Sequence, residues 1–206
     1  MTSYQWFQVA IVCLMGAMSP GPSLALIIRN TIKKNKTNGI ITSISHGLGV
    51  SLYALFAVLG LGYLIDTHIE IFLTLKIIGS IFLLIIGFIF LFYAGKKEFD
   101  YKNENKFSSS SFVQGFLIAF LNPKILVFFT ALFSQFITPN ANLAHKIILV
   151  ITPGIIDTLW YIFIAIFITT TAIKQYIDMH LKKIEQLMGL ILILVSVSFI
   201  YKFILT

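Results

Sequence analysis

Apolar positions along this chain gather into six long runs, at about 4–28, 40–65, 70–94, 112–136, 144–172 and 185–204. Each reaches the roughly 20 residues that carry a helix across about 30 Å of hydrocarbon at about 1.5 Å per residue. The fifth is long enough to tilt or to project beyond the lipid. The longest polar stretch, Lys96 to Ser111 (KKEFDYKNENKFSSSS), divides the runs three and three. An odd number of helices per half inverts one half relative to the other, a plan common among carriers. The pattern predicts an all-α integral membrane protein with six transmembrane helices as two inverted three-helix repeats. It forms a single transmembrane domain over 1–206, with halves 1–95 and 112–206 joined by a cytoplasmic linker, 96–111. Between the last two runs, Ile173, Ile177, Leu181, Ile184 and Met188 recur at helical spacing with charges opposite. That segment is expected to extend the adjoining helices.

Composition narrows the class further. Hydrophobic residues make up 58% of the 206 and charged residues only 11%, whereas a soluble domain carries about 25% charged. The net charge of +7 would point to nucleic acid in a soluble protein. Here the basic residues sit in short loops, with no Gly-rich phosphate loop and no basic tail, so no nucleic-acid partner is expected. Arg29, Lys33, Lys34, Lys36, Lys96, Lys97, Lys102, Lys106, Lys174, Lys182 and Lys183 are eleven of the 15 basic residues and occupy alternate loops. By the positive-inside rule these loops are cytoplasmic and both termini lie outside. Met1 to Ile28 holds no Lys or Arg, so the first run reads as a retained helix rather than a signal peptide. Cys13 is the single cysteine, which excludes an intrachain disulfide, a redox pair and a cysteine-based zinc site. The histidines are scattered. Neither metal nor cofactor is expected.

Three constellations carry candidate chemistry. Ser19-Pro20-Gly21-Pro22 interrupts the first run. Proline and glycine there free backbone groups that protein or cavity water must satisfy. Asn122-Pro123-Lys124 does the same in the fourth run and places an ammonium roughly 18 Å into its helix. Asp157, after Pro153-Gly154, falls at similar depth from the opposite side. A central charge costs about 2.5–3.5 kcal/mol on insertion scales and usually faces a pathway. Lys124 and Asp157 read either as a fixed ion pair holding the bundle or as counter-charges for a zwitterion's carboxylate and ammonium. Asp157 also reads as a proton carrier. Trp160 and Tyr161 are placed to wall the pocket or to pack the core. His46, at the start of the glycine-bearing second run, reads as a proton shuttle or, more often for such a residue, as a hydrogen-bonding group near the interface. Gly47 and Gly49 read as points of close helix approach.

At Pro20-Gly21-Pro22 and Asn122-Pro123-Lys124 the chain resembles the LysE/RhtB family of bacterial amino-acid exporters. Asp157-Thr158-Leu159-Trp160-Tyr161 is similar to that family's fifth-helix Asp-x-x-Trp pattern, and the similarity spans the whole chain. The resemblance implies six inner-membrane helices in two inverted halves, and export of amino acids or close derivatives in exchange for protons. It makes Pro20, Gly21, Pro22, Asn122, Pro123, Lys124 and Asp157 the core of the pathway. Ser45 and His46 stand where family members often have glycines, and Lys33-Lys34-Asn35-Lys36 replaces the usual Gly with an Arg/Lys pair. These departures bear on the solute more than on the fold.

The expected function is secondary active export, not enzymatic. The partners are a small zwitterionic solute such as an amino acid, protons as coupling ion and the lipid bilayer, with homo-oligomers allowed. The alternatives are an integral membrane enzyme, for which Asp66, His68 and Glu70 form the one plausible cluster, and a non-transporting membrane subunit.

Overall fold

The computed structural model describes residues 1–19, 21–92, 110–138, 141–167 and 171–205. Among them the chain forms eight helices and no strand. These are α1 (Ser3–Met18), α2 (Pro22–Lys33), α3 (Lys36–Thr67), α4 (Ile69–Phe92), α5 (Ser111–Phe120), α6 (Pro123–Phe133), α7 (Leu143–Phe167) and α8 (Thr171–Leu205). Most of the expected linker, from 93 to 109, and Pro20 lie outside the described residues.

Four helices are long and apolar enough to cross a bilayer, and five crossings result if α1 and α2, bent by 61°, are one broken span. The difference from six lies in the fourth apolar run. It divides at Leu121–Asn122 into α5 and α6, of 10 and 11 residues, each about 15 Å long and half a membrane deep. The cause is the Pro at each break. Pro22 and Pro123 have no amide to continue a preceding helix, yet both suit the first position of a new one. Ile173 to Met188 lies within α8, which runs unbroken for 35 residues.

Backbones cross closely where side chains vanish. α3 packs most extensively on α7, and α4 on α8. At the first crossing, a Cβ on Gly47 would meet the Gly154 carbonyl at 2.7 Å, and one on Gly154 would meet the Gly47 carbonyl at 2.8 Å. Each would also overlap a hydroxyl four residues along the partner helix, Thr158 and Ser51 respectively. At the second crossing, Gly87 and Gly189 face one another's carbonyls at 3.0 and 2.5 Å. Small residues permit such approach inside lipid, where helix association depends on packing and hydrogen bonds rather than on expelling water. The bulkier core fills with Val9, Val12, Val58, Leu83, Leu132, Phe133 and Leu149. Long apolar side chains such as Ile77, Ile78, Ile81, Ile85 and Phe88 on α4 point outward, as expected of a lipid-facing surface.

Candidate functional site

The two breaks meet at one cavity. About 70 Å³ of water-sized space lies between α1, α2, α3, α6 and α7, with α4 and α8 closing its apolar end. Ser19, Gly21, Pro22 and Ser23 border it from the first break, Asn122 and Ile125 from the second, and Pro153, Asp157 and Tyr161 from α7. Of the residues singled out in the sequence, Ser19, Gly21, Pro22, Asn122 and Asp157 are thus brought together. Pro20 and the side chains of Pro123 and Lys124 lie outside the described residues.

The starts of α2 and α6 both line this space. Gly21, the N-cap of α2, is extended and gives no side-chain cap. A helix start leaves amides without intrahelical partners and carries a partial positive charge, which favours an anion. On α7, Pro153 removes the amide that would bond the Leu149 carbonyl, one turn before Asp157.

Asp157 is buried, and His46 is its partner. Nδ1 of His46 lies 2.6 Å from Oδ2 of Asp157, with His46 only 1% exposed and Asp157 6%. The His46 ring meets Tyr161 edge-on, 5.1 Å between centroids, and Tyr161 interacts with Ser23. His46 Nε2 is buried and has no hydrogen-bond partner among the described residues. Trp160 does not line the cavity. It stacks on Phe163 at 5.8 Å and packs beside the Leu24–Ile27–Ile28 cluster.

The interfacial placement expected of His46 is corrected by the helix boundary. α3 starts at Lys36 rather than near residue 40, so His46 sits roughly 15 Å into it. A signal was present in the sequence. Gly39, Thr42, Ser43, His46, Gly47 and Gly49 fall at helical spacing, and all are buried. A small, polar stripe in an apolar helix faces protein, not lipid.

Beyond the cavity, α2, α3 and α5 are joined by amides and hydroxyls. The buried Asn30 side-chain amide donates to Thr42 Oγ1 at 2.9 Å and to Gln114 Oε1 at 3.0 Å. Lys34 Nζ donates to Ser111 Oγ at 3.1 Å, and Ser111 donates to Asn38 Oδ1 at 2.6 Å. The opposite wall is aromatic. Phe128 and Phe129 on α6 line the cavity, and Phe128 lies against Gly16 of α1. Asp66, His68 and Glu70 are exposed around the α3–α4 turn. Among the described residues no three His, Cys, Asp or Glu side chains are grouped to hold a metal.

A cavity between two broken helices, bordered by a buried carboxylate, is the kind of site that membrane carriers build near the bilayer midplane. The sequence profile of the LysE type translocators matches residues 14–203. The chain belongs to the LysE type translocator family. This translocator is 24% identical over 193 residues to the uncharacterized membrane protein YrhP of Bacillus subtilis, covering 88% of this chain and 91% of that protein. It is 26% identical over 145 residues to the threonine efflux protein of Salmonella typhi, covering 68% and 70%. It is 27% identical over 138 residues to the threonine efflux protein of Escherichia coli K12, covering 65% and 67%. No solved structure matches it.

Proposed function

We propose that this protein exports an amino acid or close derivative from the cytoplasm in exchange for protons, across the bacterial plasma membrane and with both termini outside. One observation carries the reading: the cavity sets two helix starts against a buried Asp157. That polarity suits a zwitterion. The α-carboxylate would lie at the starts of α2 and α6, where Lys124 supplies its counter-charge, and the α-ammonium at Asp157. The cavity volume, worth about five to seven waters, fits a compact amino acid rather than a peptide. The threonine efflux proteins among the relatives support the solute class.

Six spans in two inverted halves complete the proposal, with α1–α2 and α5–α6 as the broken first helix of each half and 96–111 as cytoplasmic linker. The mutual glycine contacts support it. At Gly47/Gly154 and at Gly87/Gly189 each glycine faces its counterpart's carbonyl, as a two-fold axis between α3 and α7, and between α4 and α8, requires. Rocking of the halves would then open the cavity to each side in turn.

Growth protection tests the function. Cells expressing the chain and challenged with toxic amino acids or analogues are expected to survive those that it exports. Lys124→Ala, at wild-type abundance in the membrane, is expected to lose export by about ten- to a hundredfold, the scale of one charged hydrogen bond. Normal export by that variant would remove Lys124 from the mechanism.

Cys13 supplies a native reporter, since it borders the cavity and is the single cysteine. The amino acid selected by the growth assay, at ten times its Kd, is expected to slow Cys13 modification by methyl methanethiosulfonate about tenfold through simple occupancy. Unchanged labelling would place the solute elsewhere.

A further inference from the structure

We infer that the coupling proton resides on Nε2 of His46, where it and the ammonium of the exported solute exclude one another. This rests on the exporter reading above and adds the group that ties the two fluxes together.

Three observations meet at one imidazole. Nδ1 is committed to the Asp157 carboxylate at 2.6 Å. Nε2 is buried without a hydrogen-bond partner among the described residues. The ring borders the cavity. A bare buried nitrogen is costly, and hydroxyls stand near it in sequence. Ser43 and Ser45 nevertheless give theirs to the carbonyls of Gly39 and Thr42 in their own helix. The ring is therefore fixed on one side and unpaired on the other among the described residues, the arrangement of a histidine with one nitrogen left to take up and release a proton.

With the Nδ1 hydrogen donated to the carboxylate, the pair has two states. In one, Nε2 carries a lone pair and the His46–Asp157 unit bears one negative charge. In the other, Nε2 carries a proton and the unit is neutral. An arriving ammonium donates a hydrogen bond to the lone pair and is attracted by the negative unit. A protonated Nε2 presents a donor where the ammonium needs an acceptor, and the attraction is gone. Protonation from outside therefore expels the solute, and solute binding from inside expels the proton. One proton is exchanged per solute as long as the halves rock only when the unit holds one or the other.

Few other ionisable groups face this ring. α7 supplies Asp157 and Tyr161, and α1 supplies Cys13; α2, α4 and α8 supply none along the cavity. α6 carries Lys124, whose side chain lies outside the described residues.

The test uses the full-length protein with the twenty protein amino acids and their close derivatives as probes, beginning with L-threonine. In weakly buffered detergent solution, wild-type protein is expected to release about one proton per solute bound, and apparent affinity to weaken about tenfold per unit of acidification once Nε2 is protonated. In proteoliposomes, an imposed pH gradient is expected to accelerate wild-type transport. His46→Gln keeps an acceptor but does not titrate. Its counterflow at equal pH is expected to fall by up to about tenfold, the worth of one hydrogen bond. Its proton release and its acceleration by the gradient are expected to vanish. Surviving counterflow also shows that the variant is folded. If His46→Gln is not recovered, the wild type's proton release and pH-dependent affinity decide alone. Full acceleration in His46→Gln, or wild-type binding without proton release, overturns the assignment to His46 and leaves the exporter reading intact. A wild type that binds and moves neither any of the twenty nor their close derivatives overturns both.

Discussion

Asp157→Asn is expected to yield a protein that folds, resists heat as well as or better than the wild type, and exports about ten- to a hundredfold more slowly. Asparagine has nearly the shape of aspartate, and its carbonyl oxygen still accepts the Nδ1 hydrogen of His46. The packing around Tyr161 is therefore retained. What disappears is the charge. A carboxylate that is 6% exposed carries a desolvation cost of several kcal/mol that one partner offsets only in part, so neutralising it does not weaken the fold. The solute's ammonium, in contrast, loses a charged hydrogen bond of about 1.5–3 kcal/mol, and 2.7 kcal/mol corresponds to about a hundredfold. Thermal unfolding of the purified variant and its export rate, measured side by side, check the two halves of the expectation. Wild-type export would show that the carboxylate has no part in transport. Collapse of the fold with the loss of activity would reduce His46–Asp157 to a clamp.

The second large effect is on assembly. Gly47→Ala is expected to lower the unfolding midpoint and the yield of folded protein, and Gly47→Val to prevent recovery altogether. The added Cβ meets the Gly154 carbonyl at 2.7 Å and overlaps the Thr158 hydroxyl. Overpacking of this kind typically costs about 1–3 kcal/mol, and a β-branched side chain adds contacts on both sides. The two obstacles separate experimentally. Thr158→Ala removes the hydroxyl but leaves the carbonyl, so the Gly47→Ala/Thr158→Ala double variant is expected to recover only part of the loss. Complete recovery would mean that the backbones can part without harm. Function should fail sooner than folding, since Gly47 adjoins His46 and Gly154 is three residues from Asp157. A crossing widened by an ångström stretches a 2.6 Å contact beyond hydrogen-bonding range.

Much of this architecture can be read from the chain itself because lipid imposes a simple grammar. Apolar length marks the long helices, and Pro22 and Pro123 mark where two of them break, since proline's missing amide acts locally. Asp157 is conspicuous for the same reason, being a charge where hydrocarbon tolerates few. Partnership is harder to read. His46 and Asp157 are 111 residues apart, and nothing in either neighbourhood names the other. Their meeting depends on the rotation of α3 against α7, which is set by Gly47, Gly154, Ser51 and Thr158 acting together across the crossing. The depth of His46 is set by a boundary that apolar length alone misses. α3 begins in the polar segment Lys36-Thr37-Asn38, which Asn35 caps through the Asn38 amide at 2.9 Å, so hydropathy alone starts the helix about a turn too late.

The cavity is fastened differently at its two ends, and the difference has a thermodynamic signature. Parting Asn30 from Thr42 and Gln114 trades amide and hydroxyl partners for water molecules of nearly equal worth. Lifting Phe128 from Gly16 instead wets hydrocarbon and raises the heat capacity. In the proposed rocking cycle one doorway would thus swing with little change in calorimetric character between cold and warm, whereas the other would stiffen or slacken with temperature.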